Sequence, residues 1–248
     1  RLFAGCTSLT EINLPAGVTE YQRGVFSECS SLRKIALPNG TKGIGERMFY
    51  GCSSLAEVTI PESVETIGAD AFNGCASLKK IEIPEGVTEI GHDAFWDCSA
   101  LTRLTLPDAC TDIGVNAFSG CSSLEFLSMP ELCQKLANYF GGNAEDIPET
   151  LTALKIRGGD QIVSGALEGC SSLVSLTLPS LKIGDYLGRY FGATNNSQNG
   201  EYVPKSLKEL TVLGAGTAGI GSVGLAACKG CGSLEKVTLG EGIEILSG

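Results

Sequence analysis

The cysteines are the residues of this sequence whose type and spacing could do chemistry. The chain has 248 residues and 11 cysteines, and Cys228 and Cys231 form a C-x-x-C pair. Such a pair is typical of half a zinc site, of a redox dithiol or of a disulfide. Zinc needs four ligands, but the sequence has no second C-x-x-C, and its one histidine, His92, is far away. We therefore predict no metal and leave open whether Cys228 and Cys231 are bridged.

The remaining cysteines follow a spacing that indicates a structural role. Six recur every 23 residues, at Cys6, Cys29, Cys52, Cys75, Cys98 and Cys121. Cys170 and Cys231 restore this position further along, whereas Cys110 and Cys133 stand where other repeats carry Val, and Cys228 stands where they carry Phe. A free cysteine behaves as a small buried hydrophobe, and stacked side chains run parallel, whereas a disulfide needs them turned toward each other. We predict buried thiols, with Cys228–Cys231 as the main exception.

A glycine run near the end of the sequence matches part of a dinucleotide-binding motif. Gly214, Gly216 and Gly219 spell G-x-G-x-x-G directly after the strand-like segment ELTVL, and Glu235 follows at the spacing of a ribose-binding acid. The motif also requires a helix that starts at these glycines. Further glycines interrupt the segment, and the repeat resumes before such a helix could pack. We predict a loop joining two coils and no cofactor.

Catalytic residues are equally hard to assemble from this sequence. A Ser/His/Asp or Cys/His site would depend on His92, but the corresponding positions of other repeats carry Arg23, Glu46, Ala69 and Val115. Paired carboxylates occur on strand positions that we expect to be exposed, without the apolar pocket that raises the pKa of a catalytic acid. We predict that the chain is not an enzyme. A hydrolase would instead show a deep pocket with converging carboxylates.

Charge and composition exclude further classes of partner. The 18 basic and 28 acidic residues give a net charge of −10, which repels phosphate backbones, so we predict no nucleic-acid binding. The uncharged run from Leu210 to Cys228 holds five glycines among nineteen residues, and we predict no membrane insertion there. With 43% hydrophobic residues, the chain can bury a large core. Because it begins and ends within the repeat, we expect a domain that is incomplete at both ends.

The elements that position these residues follow from the repeat. Counting from each repeat cysteine, Leu follows at three, Ile, Val or Leu at six, Leu, Ile or Met at eight and Pro at nine. This alternation suits a short strand that the proline ends, and later segments such as VETIGADAF supply a second apolar wall. Neither wall can be buried alone, so successive coils must stack as a solenoid. The pattern predicts ten strand segments.

Two longer segments, residues 131–147 and 180–203, interrupt the coils. They contain the similar texts LANYFGG and LGRYFGA, and each is predicted to hold a short helix followed by a polar loop. We expect the YFG residues to pin each insert to the core. Tyr186, Tyr190 and Tyr202 would form a ridge for a partner wherever they remain exposed.

The pattern AFxGCSSLxxIxLPxxVxxIG resembles the leucine-rich repeat of BspA-like bacterial surface proteins, and it covers essentially the whole chain. The resemblance implies a right-handed leucine-rich repeat solenoid of the α/β class, strand-rich, with stacked parallel short strands in about ten coils. Residues 1–248 would form a single domain. The resemblance also implies a secreted or surface-anchored protein without catalytic residues, some of whose relatives are adhesins for host matrix or plasma proteins.

The outward face of the strands is where we expect binding. The residue five positions after each repeat cysteine is charged in every repeat up to Arg103. Phe126 occupies this position in the next repeat. Opposite charges on adjacent strands would stabilise the stack, whereas an aromatic residue beside an arginine is typical of an interface. Phe126 could equally be covered by the insert that follows it. Arg103 and Phe126 are candidate partner-binding residues, together with the three insert tyrosines.

Two functions are compatible with these features. The first is a non-enzymatic, adhesin-like protein outside a bacterial cell, which binds an extracellular protein or glycan such as a host matrix protein. The second is a structural spacer with no ligand of its own. The sequence leaves the oligomeric state open.

Overall fold

Short parallel strands, stacked coil upon coil, build the protein. The computed structural model describes residues 2–132, 134–159, 162–181, 186–214, 221–224, 227–241 and 243–246. The chain divides into two compact units: unit 1 is Arg1–Glu125 with Asn138–Gly142, and unit 2 is Phe126–Ala137 with Asn143–Gly248. Every strand pairing given by the described residues of either unit is parallel. The predicted class, a parallel-strand leucine-rich repeat solenoid, is confirmed.

Unit 1 contains two ladders of very short strands. In chain order these are β1 (Lys34–Ala36), β2 (Gly43–Ile44), β3 (Glu57–Thr59), β4 (Thr66–Ile67), β5 (Glu89–Ile90), β6 (Arg103–Thr105) and β7 (Asp112–Ile113). The first ladder pairs β1 with β3, and on the same face Arg103 of β6 is bridged to Lys80. The second ladder runs β2, β4, β5, β7. Strand residues alternate between solvent and core, as in β6, where buried Leu104 lies between exposed Arg103 and Thr105.

Unit 2 repeats this arrangement with longer strands and carries most of the helical turns. Its strands are β8 (Phe126–Met129), β9 (Ala153–Ile156), β10 (Ser175–Leu178), β11 (Glu209–Val212), β12 (Gly221–Gly224), β13 (Lys236–Leu239) and β14 (Ile243–Leu246). One ladder runs β8, β9, β10, β11, β13, and β12 pairs with β14. The helices of the second insert are α1 (Leu187–Tyr190), α2 (Asn199–Tyr202) and a 3-10 turn at Asn196–Gln198. The first insert holds 3-10 turns at Leu136–Tyr139 and Ala144–Asp146.

The ten predicted strand segments give eight strands and two single bridges. The eight are β1, β3, β6, β8, β9, β10, β11 and β13. Glu11 and Lys80 each pair through one isolated bridge, with Lys34 and Arg103 respectively. A coil offers so few residues to a ladder that the loss of one hydrogen bond reduces a strand to a bridge. The number of strand-forming turns is therefore about eight rather than about ten.

A column of phenylalanines runs through the core of unit 1. One ring from each coil stacks on the next, in the order Phe3, Phe26, Phe49, Phe72, Phe95, Phe118. Neighbouring ring centroids are 5.3–6.3 Å apart, a separation at which aromatic pairs attract. Tyr139 and Phe140 continue the column beyond Phe118. The rings therefore link each coil of unit 1 to its neighbour.

The repeat cysteines form a second column, in which each thiol is a hydrogen-bond donor. The Sγ of Cys52 donates to the carbonyl oxygen of Phe26 at 3.1 Å, and the bond recurs coil by coil up to Cys121, which donates to Phe95 at 3.3 Å. Burial raises the pKa of the Cys52 and Cys121 thiols to about 12. Each thiol therefore stays protonated at neutral pH and ties its coil to the preceding one.

Each coil of unit 1 also passes through two left-handed backbone positions. One directly precedes the repeat cysteine, and the other lies five residues before it. Glycine occupies several of them, but Glu28 (φ 60°) and Asp97 (φ 54°) stand at the first position and Asp70 (φ 56°) at the second. A side chain in this region costs roughly 1 kcal/mol, because its Cβ crowds the following carbonyl oxygen.

We expect Glu28→Gly to raise the free energy of unfolding by about 1 kcal/mol, because glycine removes this crowding. Glu28 is exposed, so little packing is lost. Urea unfolding followed by the fluorescence of Trp96, the one tryptophan, measures the change. Ser27→Gly is the matched control, since Ser27 lies outside the left-handed region and its replacement should lower stability by about 0.5–1 kcal/mol. Equal effects in the two variants would contradict the assignment.

Candidate binding surface

Five basic side chains lie on or beside the outward strand face of unit 1. They are Arg33, Lys34, Lys79, Lys80 and Arg103, all exposed, and we call this set the basic strand face. In the strand ladder, Lys34 is the backbone partner of Glu11 on the preceding coil and of Glu57 on the following coil. Lys80, by contrast, is bridged directly to Arg103. The strand ladder therefore brings the predicted site residue Arg103 next to a second cation.

The cations of this face differ from the other cations of unit 1 in their partners. Ion pairs join Arg23 to Glu46 at 2.8 Å and Lys42 to Glu65 at 2.7 Å, each between neighbouring coils. By contrast, four cations of the basic strand face make no ion pair with any described residue, namely Arg33, Lys34, Lys79 and Lys80. These four charges are available to a partner, in a protein whose net charge is −10.

The neighbouring cations Lys80 and Arg103 are unfavourable for the stack itself. Like charges directly opposite each other on adjacent strands are destabilising, whereas opposite charges contribute roughly 0.2–1 kcal/mol. Lys34 beside Glu57 shows the favourable arrangement. The alternation of opposite charges from coil to coil is therefore interrupted between Lys80 and Arg103.

The strand face of unit 2 has a different character. Phe126, Ala153 and Ser175 are direct neighbours on β8, β9 and β10, and all three are half-buried. The exposed pair Glu209 and Lys236 follows on β11 and β13. At this position three successive strands thus present uncharged side chains, and Phe126 offers a partly covered aromatic surface rather than a fully exposed one.

The insert tyrosines separate into core and surface residues. Tyr190 is only 3% exposed, so it belongs to the core, and the expectation that it contacts a partner is corrected. Tyr186 is half-buried, and its hydroxyl donates to the carbonyl oxygen of Ala193 at 3.1 Å. Tyr202 is 40% exposed. The YFG tyrosines, Tyr139 and Tyr190, are both buried, so they pin the inserts as expected.

A buried amide that the sequence pattern does not indicate holds the second insert in place. Asn199 is fully buried at the start of α2. Its Oδ1 accepts from the backbone N–H of Gly188 at 2.8 Å, and its Nδ2 donates to the carbonyl oxygen of Ala227 at 3.3 Å. An Asn/Gly-rich segment predicts only a loop, so composition gives no signal for this role.

The ten cysteines that the structure describes are free thiols, and most of them are buried as predicted. Seven are buried: Cys29, Cys52, Cys75, Cys98, Cys110, Cys121 and Cys170. Cys6 is exposed, which differs from the expectation that it is buried. Cys228 and Cys231 are unbridged and partly exposed. Cys133 lies outside the described residues.

Those candidate residues for catalysis and cofactor binding that the structure describes do not assemble into a reaction site. His92 is exposed, with Nδ1 2.8 Å from Oδ2 of Asp93. No three His, Cys, Asp or Glu side chains within the described ranges are grouped as metal ligands. An apolar cleft beside the first coil, lined by residues such as Leu2, Ile12 and Val18, contains a single carboxylate, that of Glu20. It lacks the converging pair that a hydrolase would need.

The glycine run leads into a strand where a dinucleotide-binding motif would need a helix. Gly214 has a φ of 92° directly after β11, and β12 follows at Gly221. Gly216 and Gly219 lie outside the described residues. In the part of the chain that the structure describes, no helix combines the length and the apolar character needed to cross a membrane.

Stacked coils with a leucine-bearing strand, a cysteine column and a phenylalanine column define a leucine-rich repeat protein. The family model for the BspA type leucine rich repeat region matches in six copies, over residues 1–99 and 42–144. The chain belongs to this BspA-type leucine-rich repeat family. No curated protein matches it significantly.

Comparison with solved structures finds the fold in one of them, and two others are similar to this chain. A leucine-rich repeat protein of T. pallidum is 30% identical, with a TM-score of 0.55, over 64% of this chain and 76% of its own. A leucine-rich repeat protein of Bacteroides ovatus is 23% identical, with a TM-score of 0.47, over 94% of this chain and 70% of its own. A leucine-rich cell surface protein of Faecalibacterium prausnitzii is 19% identical, with a TM-score of 0.37, over 90% of this chain and 76% of its own.

Proposed function

We propose that the chain is a non-enzymatic binding module of a bacterial surface protein, and that its basic strand face binds an acidic extracellular protein. The observation that carries the proposal is the set of four exposed cations without ion pairs among the described residues. The family supports the location outside the cell, since its repeats resemble those of bacterial surface proteins.

Charge complementarity is the physical basis of this proposal. The stacked coils fix the backbone that carries these cations, so binding an acidic partner orders only their side chains. Clustered charges of one sign also accelerate encounter with an oppositely charged surface, and salt screens this effect. Because the whole chain is acidic, an acidic partner would be repelled from most other surfaces and attracted mainly to this face.

We expect the double variant Lys79→Glu with Lys80→Glu to weaken binding of an acidic partner at least tenfold, about 1.4 kcal/mol, because it reverses two of the four unpaired charges. Binding is measured by biolayer interferometry against an array of acidic extracellular matrix proteins and sulfated glycans at several salt concentrations. The control is Lys205→Glu with Lys229→Glu, which makes the same change of net charge on exposed lysines of unit 2.

Three outcomes separate the alternatives. Binding of a protein that is lost in the strand-face variant and kept in the control supports the proposal. Binding of sulfated glycans alone would assign the face to a different class of ligand and overturn the choice of a protein. If this chain binds no component of the array above the level of the charge-reversed variant, it is a structural spacer.

A further inference from the structure

We propose that Cys228 and Cys231 are an oxidisable dithiol whose disulfide locks the turn at residues 227–231 against the second insert. This modification site is independent of the basic strand face. It rests on the geometry of the turn, on the exposure of the two thiols and on the contacts between the turn and the insert.

The turn brings the two cysteines within bonding range. The backbone N–H of Cys231 donates to the carbonyl oxygen of Cys228 at 3.1 Å. Such a bond between residues three apart closes a turn in which their Cα atoms lie less than about 7 Å apart, and a disulfide requires about 4.4–6.8 Å. Earlier coils make the same bond between a phenylalanine and the repeat cysteine, as Cys98 does with Phe95 at 3.1 Å. At Cys228 a second thiol replaces that phenylalanine.

Exposure distinguishes this pair from the other described cysteines except Cys6, which is also exposed. Cys228 and Cys231 are both partly exposed, whereas the column thiols from Cys29 to Cys121 are buried and donate to carbonyl oxygens. An oxidant of low molecular weight can therefore reach the pair in the folded protein. A Cβ at Gly232, next to Cys231, would have no heavy atom within 4 Å, so the approach from that side is open.

The turn is held to the second insert by direct backbone contacts. The carbonyl oxygen of Ala227 accepts from the N–H of Leu187 at 2.7 Å and from Nδ2 of Asn199 at 3.3 Å. Gly200 of α2 packs so close to the turn that a Cβ there would lie 2.6 Å from the carbonyl oxygen of Gly230. A cross-link that fixes the turn therefore restrains the starts of both α1 and α2.

The reaction is a thiol–disulfide exchange with a small disulfide RSSR. One cysteine loses its proton and attacks RSSR, which forms a mixed disulfide and releases one RSH. The second cysteine then displaces the other RSH, so the two thiols lose two protons and two electrons and RSSR gains both. Burial raises the pKa of Cys228, and burial raises that of Cys231 to about 12, so the exchange accelerates with rising pH.

Trypsin offers a direct test, because Lys229 lies between the two cysteines. The full chain carrying Cys6→Ser is equilibrated with oxidised and reduced glutathione at several ratios at pH 8.5, alkylated, and digested. Cleavage yields residues 209–229 and 230–236, each with one cysteine. We expect these peptides as a linked pair that reduction separates. Alkylation of both peptides at every ratio, glutathione bound to only one of them, or a link to Cys133 would overturn the proposal.

Hydrogen exchange tests the coupling to the insert. In the oxidised protein we expect the amides of residues 187–203 to exchange roughly threefold more slowly than in the reduced protein, because opening of the insert requires the turn to move. Cys228→Ser, treated with the same glutathione buffer, is the control and should show no change. A disulfide that forms while exchange in residues 187–203 stays the same would disprove the coupling.

Discussion

Gly114→Ala should destabilise the protein by about 3 kcal/mol, although it adds a single methyl group. A Cβ at Gly114 would lie 2.6 Å from the carbonyl carbon of Gly91 and 2.6 Å from the Cα of His92. Carbon atoms at optimal separation are about 3.5–4.0 Å apart. Both contacted atoms belong to the backbone of the preceding coil, so no side-chain rotation relieves the clash, and the two coils must separate.

Alanine substitutions at other glycines in the same position of the repeat should lower stability by graded amounts. A Cβ at Gly91 would lie 2.7 Å from the Cα of Ala69, and one at Gly45 would meet its nearest atom, the carbonyl oxygen of Tyr21, at 3.4 Å. The cost of alanine should therefore be small at Gly45 and large at Gly91 and Gly114. The control is Gly17→Ala, where a Cβ has no heavy atom within 4 Å.

Differential scanning calorimetry measures the effect. For a chain of this size we expect Gly114→Ala to lower the melting temperature by roughly 6–12 °C, and Gly17→Ala to change it by at most about 2 °C. Equal melting temperatures for the two variants would mean that the coils do not approach each other as closely as the structure shows.

The buried thiols should make the protein unfold in mild alkali. Burial raises the pKa of Cys52, Cys121 and Cys170 to about 12, against an ordinary value of 9.0. A raised pKa means that the folded state holds the proton more tightly than the unfolded state. The resulting stability is complete below pH 9 and is lost as the pH rises from 9 toward 12.

The expected loss is large relative to the stability of a typical domain. Above pH 9, each of these three thiols lowers the free energy of unfolding by about 1.4 kcal/mol per pH unit. At pH 10.5 the three together lower it by roughly 6 kcal/mol. Burial also raises the pKa of Cys75 and Cys98, which adds to the loss. Since a domain is stable by about 5–15 kcal/mol, we expect unfolding between about pH 10 and 11.

Removal of the thiols separates this effect from the titration of tyrosine and lysine. We expect the free energy of unfolding to fall less between pH 7 and pH 10.5 in the triple variant Cys52→Ala, Cys121→Ala, Cys170→Ala. The difference from the parent chain should be about 6 kcal/mol. Urea unfolding in reducing buffer at each pH gives both values. A variant with the same pH dependence as the parent would show that the thiols do not control alkaline unfolding.

The features of the fold that repeat in the sequence were predictable, because a repeat reveals which positions share an environment. The fixed spacing of Cys29 to Cys121 predicts a buried column, and the structure confirms it. The hydrogen bond from each thiol to a phenylalanine carbonyl oxygen was not predictable, since it depends on backbone geometry between two coils. The left-handed positions of Glu28 and Asp97 were hidden because other repeats carry glycine there.

The candidate sites depend on features that do not repeat, and the sequence was less informative about them. Tyr190 and Tyr202 look alike in the sequence, but one is 3% and the other 40% exposed, because α1 packs into the core while α2 ends at the surface. The role of Asn199 depends on two backbone groups distant in the sequence. Which lysines form ion pairs depends on where the carboxylates of neighbouring coils lie, and the sequence alone does not give these positions.

The aromatic column of unit 1 has a consequence for how such chains change in length. Each ring contacts the ring 23 residues away, so successive interfaces between the coils of unit 1 share the same aromatic component. Recombination that duplicates or deletes one such copy in register therefore joins surfaces that already fit, whereas an insertion of another length would place a different side chain against the stack. The gene can thus gain or lose whole coils without inventing a new interface.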